Sequence, residues 1–324
     1  MVVDEKQEHA MSSGAAPEGA AQQDPPVRVS QLSVIGFQSG DVDRLVEYYQ
    51  EALCLVLTER TDGAAYLTTG PEHHCVAITR GEPKARSFLG LRIAGSLDEA
   101  ERRLRLAGIQ AERQTDPQPG ITEALTIADP AGTPLMLFES QTMTGAAPAA
   151  GVRPVALGHV ASFSADIEQD QRFYVEILGF RWSDSIDDWF TFLRCGADHH
   201  SVNFLRQPPH SGMHHVAYKM RDIVHLKDTL DHLAGLGYRL QWGPGRHGPG
   251  HNIFSYHQDP DGNTVELFTE LDVVIDERTG QFEPRPWHED YPQVPKVWPS
   301  GPTTANRWGP LSPAISAPEI EAGA

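Results

Sequence analysis

The chain has 324 residues, a formal net charge of −18 and a hydrophobic fraction of 40%. This length suffices for two domains that each bury a core. The acidic charge and the absence of a basic run exclude nucleic acid and anionic lipid as main partners. No apolar run reaches the roughly eighteen residues of a membrane span. Three cysteines without CxxC spacing are typical of a reduced, cytoplasmic protein.

The first predicted elements follow an N-terminal extension, residues 1–28, whose composition and lack of an apolar stretch predict disorder. Residues 32–37 predict a strand, and Asp41 predicts the N-cap of a helix with apolar residues on one face. Ser96 starts a capping box before a second helix, which is predicted to end at Gly108. Two short strands then meet at a DPAG turn.

The second half of the chain repeats this order. A helix from Asp222 to Gly237 is the counterpart of the helix that Ser96 begins. Three pairs of segments are alike in residue character and lie 126, 130 and 125 positions apart: GPEHHCVAITR (70–80) with GADHHSVNFLR (196–206), DPAGTPLMLFES (129–140) with DPDGNTVELFTE (259–270), and LSVIGFQSGD (32–41) with LGHVASFSAD (157–166). We infer two homologous domains of α+β class, each reading as strand, helix and several strands, twice over.

The duplication sets the predicted boundaries. They are the extension (1–28), an N-terminal domain (29–141), a flexible linker (142–153), a C-terminal domain (154–271) and a tail rich in proline and tryptophan (272–324).

Comparing the two halves isolates polar residues that only one of them has. Three strand positions in the second half carry ligand-type residues where the first half does not: His159 against Val34, His215 against Gly90 or a neighbour, and Glu266 against Met136. A carboxylate in an apolar strand is costly to bury unless it is paired or bound to a cation. Two imidazoles and one carboxylate on one face leave adjacent metal positions open, as non-haem Fe(II) oxygenases require.

At this point the second half resembles the catalytic domain of type I extradiol dioxygenases, the catechol 2,3-dioxygenase and dihydroxybiphenyl dioxygenase group of the vicinal oxygen chelate superfamily. The resemblance covers residues 29–271 and is more specific in the second half. The segments that carry it are LGHV (157–160), FYVEILGF (173–180), HHSVNF (199–204), MHHVAY (213–218), GPGRHG (243–248) and the stretch from Tyr256 through DPDGNTVE to Glu266.

The resemblance implies paired βαβββ modules that form an open, barrel-like sheet, with a metal-free N-terminal domain. It implies Fe(II), or Mn(II), which fits the same ligands, bound by His159, His215 and Glu266. Neighbours in a strand point to opposite faces, so only one of the pair His214 and His215 can ligate, and the family pattern selects the second.

Three further residues gain expected roles from the resemblance. His200 is expected to act as an acid or base beside O₂, and His247 and Tyr256 to hydrogen-bond the substrate oxygens. Each has a structural alternative, since His74 occupies the position of His200 in the metal-free half.

The pocket wall and the tail are less defined by sequence. Phe192, Trp189 and His251 are candidates for packing against the substrate ring, with ordinary core or surface roles as alternatives. The tail segment 283–298 either covers the entrance or serves as a packing or oligomer arm. GPGRHG satisfies a dinucleotide fingerprint but precedes a strand-like segment, so no nucleotide cofactor is expected.

The function that the resemblance implies is extradiol cleavage of a substituted catechol by O₂, giving a hydroxymuconic semialdehyde-type product in aromatic compound degradation. A homo-oligomer is expected from relatives. Two alternatives stay open. One is another enzyme of the superfamily, a glyoxalase or a hydroxyphenylpyruvate-type dioxygenase, and the other is a non-catalytic ligand-binding protein of that fold.

Overall fold

The computed structural model of the protein describes residues 24–145, 150–209, 211–285 and 293–311. In these ranges no helix is both long and apolar enough to cross a bilayer. The residues at 1–23, most of the predicted disordered extension, lie outside the described part of the chain.

The first repeat consists of two βαβββ modules. Its elements are β1 (Val29–Ser39), α1 (Val42–Glu51), β2 (Val56–Arg60), β3 (Ala64–Thr68), β4 (Val76–Arg80), β5 (Lys84–Ile93), α2 (Leu97–Leu106), β6 (Glu112–Gln118), β7 (Ile121–Ala128) and β8 (Pro134–Phe138). They form an eight-stranded sheet in the order β2-β3-β4-β1-β5-β8-β7-β6.

The second repeat has the same two modules and one added strand. Its elements are β9 (Ala156–Ser164), α3 (Ile167–Glu176), β10 (Arg181–Ile186), β11 (Phe190–Arg194), β12 (Val202–Arg206), β13 (Gly212–Lys219), α4 (Ile223–Gly235), β14 (Trp242–Arg246), β15 (Ile253–Gln258) and β16 (Thr264–Thr269). The tail adds a two-stranded pair, β17 (Val274–Asp276) and β18 (Gln281–Phe282), then β19 (Lys296–Trp298) and a short helix, α5 (Pro302–Ala305). The sheet of the second repeat has the order β14-β15-β16-β13-β9-β12-β11-β10-β19, so the tail strand β19 extends its edge.

The helices begin where the sequence predicts. Asp41 and Asp166, which are equivalent in the two repeats, each accept a hydrogen bond from a backbone N–H in the first turn, as an N-cap does. Ser96 caps α2 in the same way, but the carboxylate of Glu99 binds Arg102, so the capping box is not reciprocal.

The two repeats share one continuous apolar core. The rings of Tyr49, from α1, and Tyr218, from β13, meet edge to face with centroids 6.1 Å apart. Next to them, the Tyr48 hydroxyl lies 2.7 Å from Nε2 of His257 in the second repeat. The first repeat is therefore packed directly behind the strands of the second.

The predicted N-terminal extension is shorter than the sequence indicates. Val27 is buried, and its backbone N–H donates to the carbonyl of Ile177 in the second repeat at 2.9 Å. Composition predicts disorder for this segment, but it does not show that one apolar residue, Val27, packs on the second repeat.

Candidate metal centre

The three predicted metal ligands lie on three adjacent strands of the second sheet. His159 is on β9, His215 on β13 and Glu266 on β16. Ala217 of the central strand pairs with both His159 and Glu266. Because side chains alternate along a strand, these two residues and His215, two positions before Ala217, point to the same face.

On that face the three side chains meet in a small triangle. Oε2 of Glu266 lies 3.0 Å from Nε2 of His159 and 3.1 Å from Nε2 of His215. The two Nε2 atoms are 3.2 Å apart. All three residues are buried, with 3% exposure at most.

The triangle fits a metal ion in size and in chemistry. With metal–ligand bonds of about 2.0–2.2 Å, adjacent corners of an octahedron are about 3.0 Å apart and those of a tetrahedron about 3.4 Å apart. The separations of 3.0, 3.1 and 3.2 Å match the octahedral edge. A cation would also resolve the crowding of three electron-rich atoms, and the set of two imidazoles and one carboxylate is the facial triad typical of non-haem Fe(II).

The charge balance of the triangle supports the same interpretation. Burial would raise the pKa of Glu266, but the neighbouring His159 and His215 outweigh it and hold that pKa well below its usual range. Burial lowers the pKa of His215, against the pull of the Glu266 carboxylate. A neutral imidazole beside an ionised carboxylate is the protonation state that metal binding requires.

The equivalent place in the first repeat is filled by apolar side chains. Strand register makes Val34 the counterpart of His159 and Met136 that of Glu266. It makes Phe88 the counterpart of His215, where the sequence left Gly90 or a neighbour open. Val34, Met136 and Phe88 pack in one apolar cluster, so hydrocarbon occupies the space that the second repeat leaves to ligand atoms.

Tyr256 and Asn252 hold the carboxylate of Glu266. The Tyr256 hydroxyl donates to Oε2 at 3.0 Å and the Asn252 amide to Oε1 at 2.9 Å. Burial raises the pKa of Tyr256 well above its usual value, and the Glu266 charge adds to the effect. Asn252 was not predicted from the sequence.

His247 joins this group from the end of β14. Its Nε2 lies 3.1 Å from the Tyr256 hydroxyl, and its Nδ1 donates to the carbonyl of Ala305 in α5 at 2.6 Å. A carbonyl only accepts, so Nδ1 carries the proton and Nε2 is left as an acceptor. Burial lowers the pKa of His247 to about 4, which favours the neutral ring.

His200 lies on the other side of the triangle. Its ring centroid is 4.3 Å from that of His159, and the residue is buried. Burial, followed by the neighbouring His159 and His199, lowers the pKa of His200 well below its usual value. The ring is therefore a neutral group beside the metal position.

A cavity lies over the triangle and is lined by the three residues that the sequence places around the metal ligands. His200, His247 and Tyr256 line it along with the three ligands. Its wall is made of apolar residues from three strands and a turn: Ile186, Trp189, Phe190, Phe192 and Leu205. Phe192 and Trp189 line this cavity, and their contact with a substrate ring stays a prediction.

His251 and the tail segment depart from expectation. His251 does not line this cavity, because its Nδ1 is bound 2.7 Å from the Asp272 carboxylate. Of the tail segment 283–298, residues 286–292 lie outside the described part. Among the described tail residues, Thr304 and Ala305, further along the chain, line the cavity.

Asn203 is a second cavity residue that the sequence analysis missed. It is 1% exposed, and its Oδ1 has no hydrogen-bond partner among the described residues. Strand register makes Ala77 the equivalent residue in the first repeat. The comparison of the two halves that isolates the ligands would therefore also have found Asn203.

The family description Glyoxalase/Bleomycin resistance protein/Dioxygenase superfamily matches residues 31–137 and 156–267, one span in each repeat. The chain belongs to this superfamily. Membership confirms the predicted α+β fold of two homologous halves, since each matched span covers the paired modules of one repeat.

Similar proteins of the superfamily include ring-cleaving dioxygenases. Metapyrocatechase 2 of Cupriavidus necator is 30% identical over 53% of this chain and 49% of its own length, about half of each protein. Biphenyl-2,3-diol 1,2-dioxygenase of Paraburkholderia xenovorans (strain LB400) is 26% identical over 74% of this chain and 87% of its own. An iron-dependent extradiol dioxygenase of Rhodococcus jostii (strain RHA1) is 26% identical over 77% and 92%. The resemblance to extradiol dioxygenases is confirmed.

Two solved structures of the superfamily share the fold over most of their length. The Mn(II)-bound glyoxalase from Novosphingobium aromaticivorans has a TM-score of 0.77 and 26% identity, and the match covers 87% of this chain and 91% of that one. Homoprotocatechuate 2,3-dioxygenase from Brevibacterium fuscum, in complex with 3,4-dihydroxyphenylacetate, has a TM-score of 0.75 and 22% identity, with coverage of 90% and 92%.

Proposed function

We propose that this superfamily member is an extradiol dioxygenase that opens a catechol ring with O₂ at a non-haem Fe(II) ion. The observation that carries the proposal is the buried triangle of His159, His215 and Glu266 at the floor of an aromatic-walled cavity. The names of the relatives, metapyrocatechase, biphenyl-2,3-diol 1,2-dioxygenase and iron-dependent extradiol dioxygenase, support it. Mn(II) is the alternative metal, since a similar structure is Mn(II)-bound.

When bound, the iron supplies open positions for the catechol oxygens and O₂ and conducts electron density between them. The chain's own residues handle the protons. A catechol loses at least one proton on binding, and the bare Nε2 of His247, reached through the Tyr256 hydroxyl, is a neutral acceptor for it. The hydrogen bond that Tyr256 donates to Glu266 holds the hydroxyl oxygen beside the proposed metal position.

His200 has the position and protonation state for the second proton task. As a neutral imidazole on the opposite side of the triangle from His247, it is assigned to exchange a proton at the oxygen that adds to the ring.

The overall reaction balances without a further reductant. The carbon–carbon bond beside one hydroxyl-bearing carbon breaks, and both oxygen atoms enter the product, a hydroxymuconic semialdehyde-type compound. The ring itself supplies the electrons that reduce O₂. The proposed reaction therefore requires neither a nicotinamide nor a flavin.

The cavity wall suggests the kind of catechol. The described residues that line the cavity include no lysine or arginine. A carboxylate on the ring would enter this site unpaired, at a large desolvation cost. We therefore propose an uncharged catechol whose apolar substituent packs on Phe190, Phe192 and Leu205.

A glyoxalase is the second candidate, favoured by the likeness to the Mn(II)-bound glyoxalase structure. Glyoxalase-type sites usually contain more carboxylates. The triangle here has a single carboxylate beside two histidines. This ligand set favours the dioxygenase.

Location and assembly are proposed on narrower grounds. Cytoplasmic location is supported by three free cysteines, of which Cys75 and Cys195 are buried thiols.

A homo-oligomer is supported by exposed apolar residues near α4, among them Val224 and Leu236. Light scattering of the purified protein would give the mass of the assembly, and a monomer would remove this part of the proposal.

The test is anaerobic loading with Fe(II), followed by a panel of substrates in isotopically labelled O₂. We expect about one metal per chain and ring-opened product that carries both labelled atoms from 2,3-dihydroxybiphenyl or 4-methylcatechol. Little product should form from 3,4-dihydroxyphenylacetate, because its carboxylate lacks a partner. Conversion of the hemithioacetal of methylglyoxal and a thiol, without attack on any catechol, would favour the glyoxalase instead.

A further inference from the structure

A chain of buried polar side chains leads from the tail to His200. The indole N–H of Trp298 donates to Oδ2 of Asp184 at 2.7 Å, and Nε2 of His199 lies 2.9 Å from the same oxygen. Nδ1 of His199 then lies 2.9 Å from Nδ1 of His200. Asp184, His199 and His200 are 2%, 0% and 3% exposed, so water does not interrupt the chain.

The proton positions along this chain follow from its chemistry. An ionised carboxylate only accepts hydrogen bonds, so Nε2 of His199 carries a proton. With the ring of His199 neutral, its Nδ1 is an acceptor. In that state the short contact between the two Nδ1 atoms has His200 donating from Nδ1, which leaves Nε2 of His200 as a bare lone pair.

Local backbone geometry aims Asp184 inward. The pairing of β10 with β11 has an irregular register between Trp182 and Asp184, the kind of bulge that redirects a side chain. The other carboxylate oxygen of Asp184 accepts the backbone N–H of Lys296 at 2.9 Å. The carboxylate thus has fixed donors on both oxygens and one orientation.

The first repeat contains an equivalent histidine pair, His73 and His74, whose outer nitrogens have different partners. Nδ1 of His73 lies 3.0 Å from Nδ1 of His74. The carboxylate behind it, Glu59, is 3.5 Å from His73 and 45% exposed, so it is a weak and hydrated partner. On the other side, Nε2 of His74 is occupied by Oε1 of Gln118 at 2.8 Å. The second repeat has a tight, buried carboxylate, and its histidine lines an open cavity.

We propose that Asp184 and His199 are positioning residues that hold His200 in the tautomer whose bare Nε2 faces the cavity. The expected effect on turnover rests on the proposed dioxygenase function, whereas the tautomer of His200 does not. The carboxylate fixes which nitrogen of His199 is protonated, and His199 in turn fixes His200. An unassisted histidine would divide its population between two tautomers, and only one of them can accept a proton from the cavity.

The test replaces Asp184 with Asn in the full-length protein. An amide has one acceptor, so it cannot serve Lys296 and His199 together, and part of the His199 population reverses its tautomer. In the metal-free protein labelled with ¹⁵N-histidine, two-bond ¹⁵N–¹H couplings report which nitrogen carries the proton. We expect His200 to change from a single Nδ1–H form to a mixture in D184N.

The iron-loaded variant gives the second readout. We expect D184N to retain its iron and its anaerobic catechol affinity, while kcat under O₂ falls by about 10–100-fold. Unchanged tautomers in D184N would overturn the proposal, as would unchanged kcat, or a loss of kcat that only follows lost iron.

Two further variants keep the test decisive. His199→Phe breaks the chain but leaves the contacts of Asp184 with the tail, so it decides the question if D184N does not fold; wild-type tautomers at His200 would overturn the proposal. Glu59→Gln makes the matched change in the first repeat and should alter neither readout. A wild-type protein that opens no catechol would overturn the proposed function, while the tautomer measurement would still stand.

Discussion

Nε2 of His159 lies 3.0 Å from Oε2 of Glu266, although the two residues are 107 positions apart in the chain. Each is 1% exposed. Folding therefore brings an imidazole and a carboxylate into contact away from water, where each is costly to bury without a partner. A cation bound between them would be a partner for both groups.

Glu266→Gln should weaken metal binding by more than about 100-fold while the fold persists, because the amide is a poor ligand but still meets the Asn252 amide. Metal analysis after dialysis checks the binding.

Metal loading should also raise the melting temperature of the wild-type protein, since ligand at 100 times its Kd adds about 2.7 kcal/mol, and this rise should vanish in the variant. Glu270→Gln, which alters a partner of Arg246 on the same chain segment, is the control and should retain the metal. Full iron content in Glu266→Gln would exclude Glu266 as a ligand.

His200→Phe should keep the metal and bind catechol, because His200 is not one of the three ligands. Proton transfer by such a group is typically worth about 10²–10⁴-fold in rate, so turnover should fall by that amount or intermediates should be released. Stopped-flow mixing of the anaerobic catechol complex with O₂ measures the affected steps directly. Product formation at the wild-type rate would leave His200 with a structural role, like that of His74 in the first repeat.

Met136→Glu should destabilise the first repeat by about 3–5 kcal/mol, because it places a carboxylate among apolar side chains with no partner. Met136→Leu, a volume-conserving change, should cost less than about 1.5 kcal/mol. Urea unfolding of both variants gives the comparison. Equal stability of the two would mean that the place equivalent to the metal site is already polar or hydrated.

The stability of the protein should fall in mild acid because of His257. Burial lowers the pKa of this histidine to about 4, against about 6.5 in the unfolded chain. Its contribution is complete above about pH 6.5 and is lost as the pH falls toward 4, since the unfolded state then binds the extra proton. The loss at pH 5 is about 2 kcal/mol.

His257→Gln tests this, because glutamine can still bond the Tyr48 hydroxyl but does not titrate. The difference in unfolding free energy between about pH 7.5 and about pH 5 should shrink by about 2 kcal/mol in this variant. His232→Gln, at the α4 surface, is the control. The same pH dependence in His257→Gln and the wild-type protein would contradict the prediction.

Much of the fold and the metal site could be predicted because the chain contains its own comparison. The duplicated segments give the modules, and local capping chemistry gives the helix starts at Asp41, Ser96 and Asp222. The three candidate ligands stand out because polar residues appear at strand positions where the other half is apolar. These signals are local or periodic, so a sequence displays them directly.

The remainder depends on contacts between distant segments. The sequence left Gly90 or a neighbour as the counterpart of His215, and only strand register, including a bulge next to His215, assigns that place to Phe88. Ala305 reaches His247 across 58 positions, and no periodic pattern in the tail announces it. His251 was expected at the pocket wall, yet the buried carboxylate of Asp272 draws it elsewhere.

The distribution of ligands along the chain also sets an order of events during synthesis. The described residues of the first repeat contain no such group of metal ligands. This repeat can fold while the second is still being made, since domains generally fold as units from the N-terminus. At about 5–20 residues per second, roughly 5–20 s separate the synthesis of His159 from that of Glu266. A nascent chain thus offers one candidate ligand for about the first half of that interval, and two histidines without their carboxylate for the rest. Under the proposed function, all three ligands are available to the metal only once the second sheet has assembled.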